Sequence, residues 1–234
     1  MGSSKAWLAR HVGDKYVKAA AAESLRSRSS FKLLEMNAKH RFLRPSSKVI
    51  DLGSAPGGWS QAMRDKIGVK HIVAVDLLDM EPIEGVAFIR GDFTNVETQQ
   101  RVRELSPAID VIVSDALMNT SGHRETDHAR SMQLVEAILD FAVAAAAGSS
   151  SSSSSGRLPT LLAKYYRGGE ERALLERCRA LGWASVRSVK PDASRPESRE
   201  MYLLAQTQQA AGGAPLKAKQ QQQQQQQQPR GAEA

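Results

Sequence analysis

Five short runs rich in β-branched and apolar residues recur along this chain: Lys48–Leu52, His71–Val75, Val86–Ile89, Asp110–Ser114 and Thr160–Ala163. They are close to continuously apolar rather than alternating, the pattern of strands buried on both faces. Stretches with helical spacing stand among them: Trp59–Ile67, Glu125–Ala147 and Arg172–Leu181. Ala184–Val189 and Met201–Ala205 read as two last strands. Alternation of this kind predicts an α/β chain, a Rossmann-like doubly wound sheet that is mostly parallel, with helices on both faces. Ligands of such sheets bind beyond the carboxyl ends of the strands, at the switch point of the strand order.

With 234 residues, the chain can bury a substantial core as one domain with tails. Its one cysteine, Cys178, excludes a disulfide framework and a Cys-built zinc site and points to a reducing compartment. The five histidines show no metal-ligand spacing, so no metal is expected. No apolar run reaches the roughly 18 residues of a membrane span. Lys and Arg number 32 against 25 Asp and Glu, a formal +7 that favours a polyanionic partner such as nucleic acid. Two low-complexity tracts stand out, one at residues 148–156 with seven consecutive serines, the other a tail holding Gln220–Gln228. Neither can bury apolar surface to offset its ordering entropy, so both are expected to be flexible. The expected organisation is a basic arm at 1–28, a domain at 29–205 carrying the serine loop, and a Gln-rich tail at 206–234.

The strongest local signal is Asp51-Leu-Gly-Ser-Ala-Pro-Gly-Gly-Trp59, which follows one predicted strand and opens a predicted helix. Its glycines allow a tight turn and close approach of backbone to a ligand. It lacks both the G-x-G-x-x-G spacing and the Gly-Lys-Ser/Thr of a phosphate-cradling loop. Asp76 closes the next strand 25 residues after Asp51, where an acid can accept hydrogen bonds from ribose hydroxyls. Asp92 follows the third strand, placed to receive an adenine amino group. A glycine turn with strand-end acids and no phosphate cradle suits an adenosine cofactor without pyrophosphate. S-adenosylmethionine fits best, because its sulfonium centre is positive.

Further motifs stand in a fixed order: Leu25-Arg-Ser-Arg-Ser-Ser-Phe-Lys-Leu33, the 51–61 loop ending Gly-Gly-Trp-Ser-Gln, Gly91-Asp-Phe93 and Ser198-Arg-Glu200. Together they resemble the FtsJ-like (RrmJ-type) ribosomal RNA 2′-O-methyltransferases, over about Trp7 to Ala205. Trp7–Ala19 and Ser121–His128 resemble most the mitochondrial large-subunit rRNA uridine 2′-O-methyltransferases. The resemblance implies an S-adenosylmethionine-dependent methyltransferase fold and a catalytic Lys-Asp-Lys-Glu tetrad falling on Lys32, Asp115, Lys164 and Glu200, with Lys164 as the proposed base. It implies cofactor contacts at Gly57, Trp59, Asp76, Asp92 and Asp115. It further implies large-subunit rRNA or a pre-ribosomal particle as partner, a monomer, and a mitochondrial setting; no transit peptide is visible, and a cytoplasmic or nuclear setting is the alternative.

Two departures from the family stand out. Ala116-Leu-Met-Asn119 replaces the usual Met-Ala-Pro-Asn, removing a proline constraint beside the methyl site. The serine tract precedes the strand carrying Lys164, where a shift of register would displace that lysine. They motivate one alternative, a catalytically weak RNA-binding assembly factor on the same fold. A tRNA-anticodon 2′-O-methyltransferase is the other. Its usual Asp-Gly-Ala-Pro-Asp differs from Asp115–Asn119 here. On the RNA side, Lys5, Arg10, Lys15, Lys18, Arg26 and Arg28 make the amino-terminal segment basic. Lys39, His40, Arg41 and Arg44 add positive charge, and Arg167, Lys190, Arg195 and Arg199 flank the later motifs. If these share the cofactor face they form a phosphate-binding rim. Tyr165 and Tyr166 read either as stacking platforms for a base or as one core and one loop aromatic.

Overall fold

The computed structural model describes residues 13–118, 121–147 and 156–207. Expectations for Lys5, Arg10, Asn119, the serine run and the glutamine tail lie outside the described residues. In chain order the elements are α1 (Lys15–Ala22), α2 (Ser30–His40), β1 (Lys48–Leu52), α3 (Gly58–Ala62, continued by a π-helical turn Met63–Ile67), β2 (His71–Asp76), β3 (Val86–Arg90), α4 (Val96–Leu105), β4 (Val111–Ser114), α5 (Arg124–Ala147), β5 (Thr160–Tyr166), α6 (Glu171–Leu181), β6 (Ser185–Val189) and β7 (Glu200–Gln206).

The seven strands form one sheet in the order β3-β2-β1-β4-β5-β7-β6. Strands β3, β2, β1, β4 and β5 pair in parallel, while β7 runs antiparallel between β5 and β6. The strand order reverses between β1 and β4, which opens a crevice at their carboxyl ends. Alternation along the strands sends Ile50, Leu52, Ile112, Leu161 and Leu203 to one face, under Val135, Ile138 and Leu139 of α5 and Leu174 and Cys178 of α6. Val49, Val111, Val113, Leu162 and Leu204 point to the other, under Leu33 and Met36 of α2 and Trp59 and Met63. This second face is the one that carries the polar side chains Lys164 and Tyr202, because each stands two residues from a member of the cluster.

The segment before the sheet is fastened to it. Asp14 caps α1, its Oδ1 accepting the Tyr16 N–H at 2.9 Å, and its Oδ2 lies 3.1 Å from Arg28 Nε and 3.4 Å from Arg195 Nε. Tyr16 packs on Phe31 of α2 with ring centroids 5.5 Å apart. On the far side of the serine tract the chain re-enters in register, Val111 opposite Thr160 through Ser114 opposite Ala163. The feared displacement of Lys164 is therefore absent.

Candidate active site

The carboxyl ends of β4 and β5 meet the amino end of β7, since β7 runs the opposite way. Register places Lys164 opposite Tyr202 and Tyr166 opposite Glu200. Cross-strand pairs point to the same face, so one patch receives all four side chains. Lys164, 9% exposed, donates to Asp115 Oδ1 at 3.0 Å and also to the Asp115 carbonyl. Tyr202 Oη donates to the same Oδ1 at 2.7 Å. Lys32 sits on the buried stripe of α2 with Leu33 and Met36, and its Nζ lies 2.6 Å from Glu200 Oε1 and 6.0 Å from the Tyr202 ring centroid. The tetrad expected at Lys32, Asp115, Lys164 and Glu200 is thus assembled as two ion pairs joined by one tyrosine.

Burial would push the Asp115 carboxyl up. The charges of Lys164 and Lys32 and the hydrogen bonds from Tyr202 and Lys164 outweigh it and hold it below the ordinary carboxylate range. Burial, followed by the negative charges of Asp115 and Glu200, pushes the Tyr202 phenol well above its usual value, which keeps it a donor. Beneath Tyr202 lies Trp59, 2% exposed, its ring centroid 5.9 Å away and its indole N–H bonded to Ser29 O at 2.9 Å. Sequence reasoning assigned no role to Tyr202, two residues past Glu200; only the folded structure shows that it touches Asp115.

The glycine loop lies beside this cluster. Gly53 has φ +75°, and a Cβ there would stand 2.3 Å from Ala116 Cβ, so β1's end and the 115–118 segment run in contact. Gly57 has φ +100°, and a Cβ would come within 2.9 Å of Arg26, Met80 and Ile83. Asp76 at the end of β2 accepts the N–H groups of Ala55 and Leu78, both at 2.8 Å, fixing the loop. Asp92 follows β3, one residue past Gly91, whose N–H bonds Asp76 O at 2.8 Å. Its Oδ1 accepts from Thr94 N–H and Oγ1 at 2.9 and 2.7 Å.

Asp51 is the second residue that sequence reasoning left without a role. It is 1% exposed, and its Oδ2 accepts from Ser60 Oγ at 2.7 Å while its Oδ1 has no partner. Burial first, then the charges of Asp115 and Asp76, push its carboxyl up to about 7 despite the Ser60 bond. Ser54 Oγ, in the loop, is also buried without a partner. Three carboxyls, Asp51, Asp76 and Asp115, gather at the strand ends beside the glycine loop, and with the unpartnered Asp51 Oδ1 and Ser54 Oγ they suit a cationic adenosine ligand. A pyrophosphate would be repelled there. S-adenosylmethionine therefore fits the residues present. Among the described residues no group of three or more His, Cys, Asp or Glu side chains could hold a metal ion.

The basic rim expected around this site is largely committed inside the fold. Arg26 donates to the carbonyls of Pro56, Glu81 and Pro82 at 3.2, 2.6 and 2.8 Å. Arg28 bonds Ala193 O at 2.7 Å besides Asp14. Lys190 bonds Ser198 O at 2.8 Å. Their stems and heads hold the loop and the β6–β7 connection, because carbonyls there would otherwise go unpaired. Tyr165 is core, fully buried with its hydroxyl against Ser188; Tyr166 is half-buried, with the Arg199 guanidinium 5.4 Å from its ring centroid.

Comparison with known proteins matches this geometry to a family. The chain is 42% identical over 205 residues to ribosomal RNA large subunit methyltransferase E of Novosphingobium aromaticivorans, covering 87% of this chain and 88% of that protein. Against the protein of the same description from Xanthobacter autotrophicus it is 43% identical, covering 87% and 78%. A solved chain described as a ribosomal RNA methyltransferase of Plasmodium falciparum superposes with a TM-score of 0.65 at 26% identity, covering 78% of this chain and 97% of that one. Residues 25–208, which hold the Lys32, Asp115, Lys164, Glu200 and Tyr202 cluster and the glycine loop, match the FtsJ-like methyltransferase family, and the chain belongs to it.

Proposed function

We propose that this protein methylates a ribose 2′-hydroxyl of large-subunit ribosomal RNA, using S-adenosylmethionine. The observation that carries this reading is the Lys164–Asp115–Tyr202 cluster, joined to Lys32–Glu200, standing beside the glycine loop and its acids in an FtsJ-like fold. The cofactor supplies a methyl group on a sulfonium, ready for in-line displacement. Asp51 and Ser54 offer open acceptors near the loop, Asp76 the ribose hydroxyls' acceptor, and Asp92 an acceptor for the adenine amino group. Lys164 meets the target hydroxyl at its Nζ. Held on an ionised Asp115, it acts by steering and polarising that hydroxyl, whose proton passes late to solvent water. Tyr202 fixes Asp115, and Glu200 fixes Lys32. Tyr166, backed by Arg199, offers its open face to an unpaired base beside the target ribose.

A uridine as target, a mitochondrial setting and a monomeric enzyme complete the reading. They rest on the resemblance of Trp7–Ala19 and Ser121–His128; the similar proteins named above come from bacteria and Plasmodium. The test is methyl transfer from labelled S-adenosylmethionine to large-subunit particles from cells lacking this protein, with the product mapped by resistance to alkaline cleavage. Label at one uridine, lost in Lys164→Ala while RNA binding persists, is the expected result. Cofactor binding without transfer to any large-subunit RNA overturns the reading in favour of an assembly factor.

A further inference from the structure

Arg26, Arg28, Lys190 and Arg195 near the active site are bonded into the fold, but a second set of cations is open to solvent. Lys39, Arg41, Arg44, Lys70 and Arg187 are exposed, and with the half-buried Lys48 they form no ion pair among the described residues; Arg187 donates to Ser185 Oγ at 2.6 Å. The Lys39–Arg44 cations expected on the cofactor rim stand instead with Lys48 and Lys70 at the opposite end of the sheet, and Arg187 adjoins them from the middle of the edge strand β6. Lys39 and Arg41 flank the end of α2, Arg44 and Lys48 lie on the segment leading into β1, and Lys70 and His71 open β2. Lys70 N–H bonds Pro45 O at 3.3 Å, and Lys48 stands opposite His71 in register. Arg187 of β6 adjoins His40: burial and then the charges of Arg187 and Lys39 push that imidazole below its usual value. A cavity of about 210 Å³ opens in this end, with Lys48, Lys70, His71 and Ser106 in its wall. The carboxylate beside it is Asp110, whose Oδ2 accepts the Lys48 N–H at 2.9 Å.

We propose that this end of the sheet is a second RNA-binding surface, taking backbone phosphates of a large-subunit rRNA segment distinct from the one that carries the target ribose. The proposal rests on the rRNA reading above. Like charges held close on a fold repel one another, and a polyanion relieves that repulsion. A strand rises about 3.3 Å per residue, so Lys48 lies about 13 Å from Leu52 and faces away from the crevice. A trinucleotide seated in the crevice does not reach both ends. A folded RNA presents phosphates on several helices and does. Unpaired surface cations position RNA without reading its sequence, which suits a surface remote from the reacting ribose.

The test compares the full chain with Arg44→Ala/Lys70→Ala/Arg187→Ala, three exposed positions away from the catalytic cluster. A control of equal charge, Arg90→Ala/Arg172→Ala/Arg177→Ala, alters exposed arginines at the carboxyl end of β3 and on α6. Binding is read by fluorescence anisotropy across a salt series, on a trinucleotide RNA and on protein-free large-subunit rRNA. For the long RNA, the slope of log affinity against log salt falls by about 2 in the first variant, with affinity roughly tenfold weaker at low salt. The trinucleotide and S-adenosylmethionine bind both variants as they bind the parent. An unchanged slope, or an equal fall in the control, overturns the inference. So does loss of binding to phosphatidylserine vesicles with rRNA binding intact, which assigns the surface to a lipid. If the parent methylates rRNA and the variant's slope is unchanged, only this inference fails. A parent that neither binds nor methylates rRNA removes the functional reading as well.

Discussion

Asp51 shows how much of this site depends on single buried groups. Its carboxyl has one hydrogen bond, one bare oxygen and two neighbouring acids. A carboxyl raised from 3.8 to about 7 on folding makes the native chain bind more protons than the unfolded one between those values. Its favourable share of stability is complete below the unfolded value and is lost as pH rises through about 7. Asp51→Asn keeps an acceptor for Ser60 and removes the ionisation. The variant is expected to melt higher than the parent at pH 8, by an amount equivalent to about 1–3 kcal/mol, and no higher at pH 4. Calorimetry at the two pH values decides it; equal gains at both would show that charge is not the cause. The same variant should bind S-adenosylmethionine more weakly at pH 8, since it offers no negative charge to a cation. Asp115 has the opposite sign. Its depressed carboxyl stabilises the fold above the ordinary carboxylate value and stops doing so as pH falls through its lowered one.

The β1–α3 connection is the element that sets the geometry of the pocket. Gly53 combines a left-handed φ of +75° with contact against Ala116, so two separate costs attach to any side chain there. Gly53→Ala is expected to lose about 2–4 kcal/mol of stability, from the backbone conformation and from displaced packing. Urea unfolding measures this, and a loss under about 0.5 kcal/mol would show that the 115–118 segment yields freely. Elements also mark where the sequence pattern was weak. The helix α4 was not foreseen, because it buries only Thr98 and Val102 and carries charge on its remaining faces. The helix α2 was missed because its buried stripe includes a lysine, Lys32, that reads as a surface residue until Glu200 is placed beside it. In contrast, β1, β2 and α5 were legible to within a residue or two, since continuous apolar strands and a long apolar helix leave little competing choice.

At the scale of the molecule, β7 is the strand that closes the structure. It lies between β5 and β6, carries Glu200 and Tyr202 into the active site, and ends at Gln206. A chain stopped after Thr207 is expected to keep the parent's melting temperature within about 2 °C and to retain methyl transfer. One stopped after Arg199 should not fold, because β5 and β6 would each lose a paired neighbour. Soluble expression and thermal melts of the two truncations test this; an unstable 207-residue chain would show that the tail supports the core. The sequence alone determined the α/β class, the strand positions, the glycine loop and the family to which its motifs point. Each of these depends on local periodicity or on residues close in the chain. Tertiary structure alone decided that β7 runs antiparallel, that Tyr202 bonds Asp115, and that Arg26 and Arg28 serve the fold. It also decided that unpaired cations gather at the far end. Those outcomes depend on which distant segments meet, and contacts between residues 87 or 165 positions apart leave no periodic trace in either segment.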